Sequence, residues 1–256
     1  MDVILNINNL NYQTIFQNLT LSLEKKKIIT IAGSNNSGKT TLCRILDRKI
    51  QDSFNINLMG KDIDEYSLEK YNHLLQVVYP KEYHFQETTP REEIETVETL
   101  KEKKEFIINE LKALKILERE IIKCSMTERI WLQIMMAILK SSEIVVIDNL
   151  DYYFDPIDLQ TFYDFIKKCT KFFHNSFIVT ATSLEMATSS DVLYIIQKGE
   201  FILHGEPLTV LQRDNVINKA GLSVPFMIDL SVKLRDYELI KDIELDQERL
   251  IEALWN

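Results

Sequence analysis

Apolar and polar residues alternate in short runs over the first part of the chain. The apolar positions are Ile4, Ile7, Leu10, Tyr12, Ile15, Leu19, Leu21 and Leu23. Such runs, separated by Asn and Gln, are typical of antiparallel strands with one buried face. The next run, Lys27–Ala32, is rich in β-branched residues and has no polar alternation. It predicts a central strand that is buried on both faces.

Helical periodicity follows this strand and returns in the middle of the chain. Apolar residues at three- and four-residue spacing predict a helix over Thr40–Ile50. From about residue 92 to residue 139 the chain is charged and helical in period. A buried stripe of leucines is predicted there, formed by Leu111, Leu114 and Leu117. The charged run Lys101–Glu105 is predicted to be a solvated helix face.

Further apolar runs predict the rest of a sheet. Glu143–Ile147 and Ser176–Ala181 have the character of buried strands. Val192–Ile196 and Glu200–Leu203, joined through Gly199, are predicted to form a hairpin. Strands that alternate with helices predict an α/β fold with a largely parallel sheet.

The tail from Leu222 is predicted to form two short helices. Ser223 is the expected cap of the first helix, and Pro225 suits its opening turn. The predicted apolar faces consist of Met227, Leu230 and Leu234 in the first helix and Leu250 and Leu254 in the second. Packing against the main domain and contact with a partner are equally good interpretations of these faces.

Composition and charge exclude some classes of protein. The chain of 256 residues carries 39 acidic and 30 basic residues, a net charge of −9, which argues against a nucleic-acid partner. No apolar run approaches the ~20 residues that a bilayer requires, and the first residues lack a basic segment typical of a signal peptide. The three cysteines are scattered without a C-x-x-C pair, which fits a reducing compartment. We therefore expect cytoplasmic residence, with docking on a membrane protein left open.

A glycine-flanked loop between the central strand and the first helix carries the clearest chemistry. Its residues match G-x-x-x-x-G-K-S/T without departure and are Gly33, Ser34, Asn35, Asn36, Ser37, Gly38, Lys39 and Thr40. Glycines let backbone N–H groups approach phosphate oxygens, and the helix N-terminus favours an anion. A chance match on a surface loop is disfavoured, because a buried strand precedes the motif and a helix follows it. This loop, with Thr41, predicts binding of ATP or GTP.

Two oxygen-bearing side chains are predicted to hold magnesium. The hydroxyl of Thr40 is the first. Asp148 is the second, because it directly follows the apolar strand Ile144–Ile147, where a metal-binding acid is expected beside a phosphate loop.

With these motifs the chain resembles the ATP-binding subunits of ABC transporters, and among them the energy-coupling-factor group that serves vitamin and metal-ion uptake. The segment from Asp148 to Pro156 is similar to the family's D-E-P-T-S-x-L-D-P, in which Asp155 matches the D-loop acid. Gln197–Pro207 resembles the family's paired strands ending in glycine and proline, and Gly221–Pro225 resembles the start of the group's C-terminal extension. By the same resemblance, Tyr12 is expected to stack on adenine.

The resemblance implies the fold and its division. It implies an α/β P-loop NTPase of ABC type with an antiparallel β subdomain, a helical subdomain and a short C-terminal helical extension. The nucleotide-binding domain would span residues 1–215, with the helical subdomain at about 80–140, and the extension would span residues 216–256.

The chain departs from the family where ATP is hydrolysed. The catalytic Glu is replaced by Asn149, and an amide cannot accept a proton from the attacking water. The switch histidine is replaced by Thr182, and the glutamine aligns with Tyr79 or its neighbour. The family's L-S-G-G-Q signature aligns with Cys124–Glu128, and the chain has no glycine between Gly60 and Gly199.

The resemblance also implies partners. These subunits close head to tail, so two copies of this chain would form two defective sites. We expect the degenerate half of a heterodimer, peripheral on the cytoplasmic face of the membrane and coupled to an integral membrane protein. Its own ATPase activity is expected to be weak, with rescue by His174 or by a rearranged Asp151 disfavoured. The alternatives are a regulatory P-loop module without transport and a small-molecule kinase, which would need lid arginines and a substrate pocket.

Overall fold

The computed structural model describes residues 2–82, 84–245 and 247–255. The strands are β1 Val3–Tyr12, β2 Phe16–Glu24, β3 Ile28–Ala32, β4 Ile56–Leu58, β5 Lys61–Asp62, β6 Leu75–Val78, β7 Ile144–Ile147, β8 Ser176–Ala181, β9 Val192–Gln197 and β10 Glu200–Gly205. The helices are α1 Lys39–Leu46, α2 Leu68–Leu74, α3 Pro90–Glu95, α4 Lys101–Ala113, α5 Met126–Lys140, α6 Pro156–Phe173, α7 Pro207–Leu211, α8 Asp214–Lys219, α9 Phe226–Asp236 and α10 Gln247–Trp255. In none of these helices are length and apolar character together sufficient to cross a bilayer.

The alternating N-terminal runs form an antiparallel sheet, as predicted. Its strand order is β2-β1-β4-β5, and β1 pairs with β2 and with β4. The apolar residues of each strand point to one buried face, which packs with α1 in a common core. The link between β1 and β2 is short, since Tyr12 pairs directly with Phe16.

The second sheet positions the candidate site. Its strand order is β10-β9-β3-β8-β7-β6, parallel from β9 to β6, with β9 and β10 forming the predicted hairpin. Every residue of β3, β7 and β8 is buried, as expected for central strands covered on both faces. The carboxyl ends of these three strands meet at one edge of the sheet. That edge brings together Gly33, Asp148 and Thr182, which follow β3, β7 and β8.

The helix after the loop is shorter than predicted. α1 ends at Leu46 rather than Ile50, because Arg48 adopts a left-handed conformation with φ of 53° that a helix cannot continue. The guanidinium of Arg48 donates a hydrogen bond to the carbonyl of Tyr66, 3.0 Å away, which holds the reversed chain.

The middle of the chain is helical, as predicted, but its charged run is not wholly solvated. Lys103 is 6% exposed, on the same face of α4 as Ile107 and Leu111, so the expectation of a solvated face is wrong at this residue. Its amine donates to the carbonyl of Ser141, 2.8 Å away. Burial lowers the pKa of Lys103 to about 8.

The leucine stripe predicted in this region is only partly helical. α4 ends at Ala113, so Leu117 lies beyond it although it is buried, and Leu114 is half-buried at the helix end.

The C-terminal segment packs on the main sheet through a different face from the one predicted. The first predicted helix, α9, begins after Pro225, and no side chain caps it, so the prediction for Ser223 is wrong. Ile228 and Ser231 are its buried residues, whereas Met227, Leu230 and Leu234 are half-buried. Ile228 joins a core cluster with residues of β3 and β9, and the Ser231 hydroxyl accepts from the Glu244 backbone N–H at 2.7 Å.

The last helix also differs in part from expectation. In α10, Leu250 is buried as predicted, but Leu254 is exposed. The predicted boundary between residues 215 and 216 falls inside α8. Helices α7 and α8, which precede the predicted tail, had no counterpart in the sequence-based assignment.

Candidate nucleotide site

The loop between β3 and α1 needs glycine at both ends for steric reasons. A Cβ on Gly33 would lie 2.5 Å from the Ile196 carbonyl oxygen and 2.6 Å from Ser37 Oγ. Gly38 has φ of 108°, and a Cβ there would lie 2.7 Å from a ring carbon of Phe16. The backbone can follow this path only without side chains at these two positions.

The amine of Lys39 lies inside the curve of the loop. It donates to the carbonyl of Gly33 at 2.6 Å and to that of Ser34 at 3.0 Å. Lys39 is 4% exposed, and this burial lowers its pKa, while the carboxylates of Asp151 and Asp148 act in the opposite direction. The loop is thereby built around a buried cation, which suits an anionic ligand.

A cavity of about 640 Å³ opens over the loop, within the usual range for small-molecule sites. It is lined by Ile15, Asn35, Asn36, Ser37, Gly38, Lys39, Thr40, Thr41, Asn149 and Tyr152. Seven of these ten residues were predicted from the loop motif and its neighbour Thr41, and Asn149 was predicted from the family alignment. Gly33 and Ser34 form the base of the loop.

The structure places Tyr12 outside the lining of this cavity. Its ring packs edge-on against Phe54, with centroids 5.9 Å apart, and its hydroxyl accepts from the Gln13 side chain at 3.1 Å. Because the link from β1 to β2 is so short, Ile15 rather than Tyr12 forms the apolar wall beside the loop.

Asp148 and Thr40 lie side by side, as the sequence predicts. The Thr40 hydroxyl donates to Asp148 Oδ2 at 2.8 Å. The other carboxylate oxygen accepts from the Thr180 hydroxyl at 2.9 Å and from the thiol of Cys43 at 3.7 Å, and burial keeps that thiol protonated by raising its pKa. A hydroxyl and a carboxylate in contact are the oxygen ligands that Mg²⁺ takes beside substrate phosphates. These two residues therefore fit the metal that the motif implies.

Asn149 lies beside Thr40 and Asp148 and contacts both. It is in the left-handed conformation, φ 46° and ψ 55°, which asparagine tolerates better than most residues. Its backbone N–H donates to the Thr180 hydroxyl at 2.8 Å. Its side-chain amide donates to Thr40 Oγ1 at 3.2 Å and to Asp148 Oδ1 at 3.1 Å. The amide faces the site but offers no group that can take a proton from water.

Thr182, which the sequence analysis aligns with the family's histidine, is held by Asp151, an acid that was not expected to have a role in the site. One oxygen of Asp151 accepts from the Thr182 backbone N–H at 2.6 Å, from the Thr182 hydroxyl at 2.7 Å and from the Ser183 N–H at 2.8 Å. Asp151 sits in a 3₁₀ turn, Leu150–Tyr152, that aims it at the loop after β8. Both side chains are thus engaged with each other, and neither lines the cavity.

Tyr152 is a second residue that sequence reasoning missed. It lines the cavity, and its hydroxyl donates to the side-chain oxygen of Asn35 in the phosphate loop. Its side chain is 55% exposed. The neighbouring Asp155, assigned to the D-loop by resemblance, caps α6 by accepting from two backbone N–H groups at 2.8 Å.

Tyr79 lies at the end of β6, next to the strand that carries Asp148. Its ring is packed in the core with the ammonium of Lys49 4.0 Å from the centroid, and burial raises the pKa of its hydroxyl. It does not line the cavity over the phosphate loop. Its equivalence to the family's glutamine stays a prediction.

The segment aligned with the family signature forms a closed helix start. Ser125 caps α5, and Glu128 accepts from the Ser125 backbone N–H at 2.7 Å. Arg119 donates to both carboxylate oxygens of Glu128, at 2.8 and 3.0 Å. These donors lower the pKa of Glu128 and keep it anionic. A carboxylate therefore already occupies the end of the helix where a phosphate would bind.

Comparison with known proteins decides the family. The sequence model of the ABC transporter family matches residues 16–150, more than half of the chain. The chain belongs to the ABC transporter family. The matched region includes the phosphate loop, Asp148 and Asn149.

Individual relatives share the length of the chain at low identity. The energy-coupling factor transporter ATP-binding protein EcfA1 of Bacillus subtilis is 23% identical, over 93% of this chain and 88% of its own length. The corresponding EcfA protein of Aster yellows witches'-broom phytoplasma is 25% identical, over 94% and 92%. The solved structure of cbiO1 from Clostridium perfringens, described as part of the ABC transporter complex cbiONQ, superposes with a TM-score of 0.73 at 16% identity, covering 92% of this chain and 100% of that one. This agreement confirms the ABC-type P-loop fold.

Proposed function

We propose that this chain is the ATP-binding subunit of an energy-coupling-factor-type ABC transporter that holds Mg-ATP and hydrolyses it weakly or not at all. The observation that carries the proposal is one set of hydrogen-bonded side chains beside the phosphate loop. An unaltered phosphate loop is joined through Thr40 to Asp148, and Asn149 occupies the place of the general base. Binding groups are present, and the hydrolytic group is absent.

Each part of the site has a role in this proposal. Backbone N–H groups of residues 33–41 and the amine of Lys39 bind the phosphates, and Thr40 and Asp148 ligate Mg²⁺, which neutralises phosphate charge. Ile15 offers an apolar wall for the base, while Tyr12 stays a prediction as its stacking partner. Asn149 and Thr182 are the degenerate catalytic positions, since one carries an amide and the other is bonded to Asp151.

The closed start of α5 supports a heterodimer. The family's signature binds the partner's nucleotide, whereas here the carboxylate of Glu128, paired with Arg119, already accepts the Ser125 backbone N–H at the start of α5. Two copies of this chain would combine a site without a base and a signature whose helix start is already occupied by a carboxylate. We therefore infer that the partner is a different ATPase subunit, with its own Glu and His.

The relatives support a membrane partner. The two curated relatives cited above are named as subunits of energy-coupling factor transporters, and the cbiO1 structure is described as part of a transporter complex. By analogy this chain would sit peripherally on the cytoplasmic face of the membrane and pass dimer closure to an integral membrane protein. The side chains of Ile122 and Met126 are exposed and line a cleft together with Pro80. They are candidate contacts with that membrane protein.

Two measurements test the proposal. The first is titration of the purified chain with ATP, with the Lys39→Ala variant as the negative control. Saturable binding that the variant loses supports the nucleotide role, and equal binding by both proteins contradicts it. The second is affinity purification from solubilised membranes. Recovery of an integral membrane protein and a second ATPase supports a role in transport. Recovery of a soluble target alone favours the regulatory module, because an intact phosphate loop without a general base fits that function equally well.

A further inference from the structure

The Asn149 side chain contacts both of the oxygens expected to hold the metal. Its Nδ2 lies 3.2 Å from Thr40 Oγ1 and 3.1 Å from Asp148 Oδ1. The Thr40 hydroxyl, which accepts from Asn149, itself donates to Asp148 Oδ2 at 2.8 Å. One amide nitrogen thus joins the hydroxyl and the carboxylate, as a bound cation would.

These contacts account for how a buried carboxylate is stabilised here. Asp148 is 7% exposed and accepts from Thr40, Cys43, Thr180 and Asn149. A buried charge is costly unless hydrogen bonds or an opposite charge compensate it. A glutamate at position 149 would have no hydrogen to donate and would bring a second negative charge against Asp148. Asparagine replaces that repulsion with a hydrogen bond.

Magnesium and the amide compete for the same oxygens. A cation bound to Thr40 Oγ1 and Asp148 would approach the same oxygens that now accept from Asn149 Nδ2 and would meet the positive N–H side of the amide, which would have to turn away. Within the described residues the buried Oδ1 of Asn149 has no hydrogen-bond partner, so the contacts of Nδ2 alone fix the orientation of the amide. Metal binding therefore exchanges one set of contacts for another, and its net gain is reduced.

We propose that the Asn149 amide stands in for the metal, so that this chain binds ATP with only a weak dependence on Mg²⁺. The proposal deepens the nucleotide-holding function and rests on it. The amide orders Thr40 and Asp148 before nucleotide arrives, and the phosphate loop with Lys39 supplies the attraction for the triphosphate. The substitution that removes hydrolysis is thus also a determinant of metal dependence.

The test compares ATP affinity in excess Mg²⁺ with ATP affinity in excess EDTA. We expect the ratio of the two affinities to be under roughly tenfold in the wild-type chain, because the metal displaces a hydrogen bond of comparable strength. Asn149→Gly keeps the left-handed backbone and removes the amide, and Asn149→Asp keeps the shape and adds charge. In both variants the ratio is expected to rise by at least about tenfold, most strongly in Asn149→Asp.

Asn18→Asp is the matched control. Asn18 is also left-handed, with φ of 53°, and is exposed on the antiparallel sheet. In this variant, the ratio of ATP affinity in Mg²⁺ to ATP affinity in EDTA is expected to equal that of the wild type. A wild-type ratio as high as that of the Asn149 variants would overturn the proposal while leaving ATP binding intact. No ATP binding under either condition would overturn the proposed function itself.

A second readout needs no nucleotide. The chain can be titrated with Mn²⁺ alone, and the electron paramagnetic resonance signal of the unbound Mn²⁺ can be followed. We expect Asn149→Gly to bind Mn²⁺ more tightly than the wild-type chain by at least about tenfold, since the amide no longer competes for the oxygens of Thr40 and Asp148. Equal binding by the two proteins would contradict the competition between the amide and the metal.

Discussion

Asp151 accepts hydrogen bonds from both the backbone N–H and the hydroxyl of Thr182, at 2.6 and 2.7 Å. The pair joins the turn after β7 to the loop after β8, at the edge of the sheet where the phosphate loop also lies. Thr182 is the residue that the sequence analysis aligns with the family's switch histidine. Its side chain is therefore committed to holding this loop in place.

The contribution of Asp151 to stability can be measured by urea unfolding. Asp151→Ala leaves three donors of the loop after β8 without their acceptor, Ser183 N–H included, and hydrogen bonds to a charged group are individually strong. We expect a loss of about 2 kcal/mol in the free energy of unfolding. Thr182→Val removes only the hydroxyl and is expected to cost about 1 kcal/mol. Equal stability of Asp151→Ala and the wild type would show that this carboxylate does not hold the loop.

Removing the Lys39 amine is expected to weaken ATP binding by at least about tenfold, because the phosphates lose a buried cation. Calorimetric titration of Lys39→Ala with ATP measures the effect. Lys101→Ala, on the exposed side of α4, is the matched control and should bind as the wild type does. If both variants retained full affinity, the loop would not be the nucleotide site.

Glu128 predicts a pH dependence of stability. Its donors lower its pKa below the ordinary value of 4.5, so the folded state favours the anion and gains stability above that pH. The gain is expected to disappear as the pH falls from 4.5 through the lowered pKa. Comparison of wild type and Glu128→Gln by thermal unfolding across this range checks it. A difference between the two proteins that does not change with pH would contradict the assignment.

Lys103 predicts a second pH dependence of stability, in alkaline solution. Its pKa is lowered from 10.5 to about 8 in the folded chain, so between these values the unfolded chain binds more protons. Stability attributable to Lys103 should therefore rise as the pH increases from 8 to 10.5. Lys103→Met is expected to lose this rise without being less stable at pH 7, as measured by urea unfolding. Parallel stability curves for the two proteins would exclude the lowered pKa.

Features that depend on local pattern could be predicted from the sequence. The predicted strand Ser176–Ala181 has the same first and last residues as β8, because an apolar β-branched run bounded by polar residues has few alternative structures. The phosphate loop was located because the motif must lie between a strand and a helix. Asp148 followed from the end of the next buried strand.

Features that depend on distant parts of the chain could not be predicted in this way. Lys103 looks like its charged neighbours, and only the packing of α4 shows that it faces inward. The contact of Asp151 with Thr182 joins residues 31 positions apart, and that of Tyr152 with Asn35 joins residues 117 apart. Helix ends were missed where a single left-handed residue, Arg48, stops the helix.

We propose above all that this chain holds ATP and cleaves it weakly or not at all. The direct measurement is a single turnover, with the chain in excess over ATP and Mg²⁺ present, in which the protein-bound nucleotide is recovered and identified by chromatography. We expect it to remain ATP in the wild type, and ADP to form faster in Asn149→Glu combined with Thr182→His, in which a base and a histidine are restored. Rapid conversion to ADP by the unmodified chain would contradict the account, because another group would then be supplying the base.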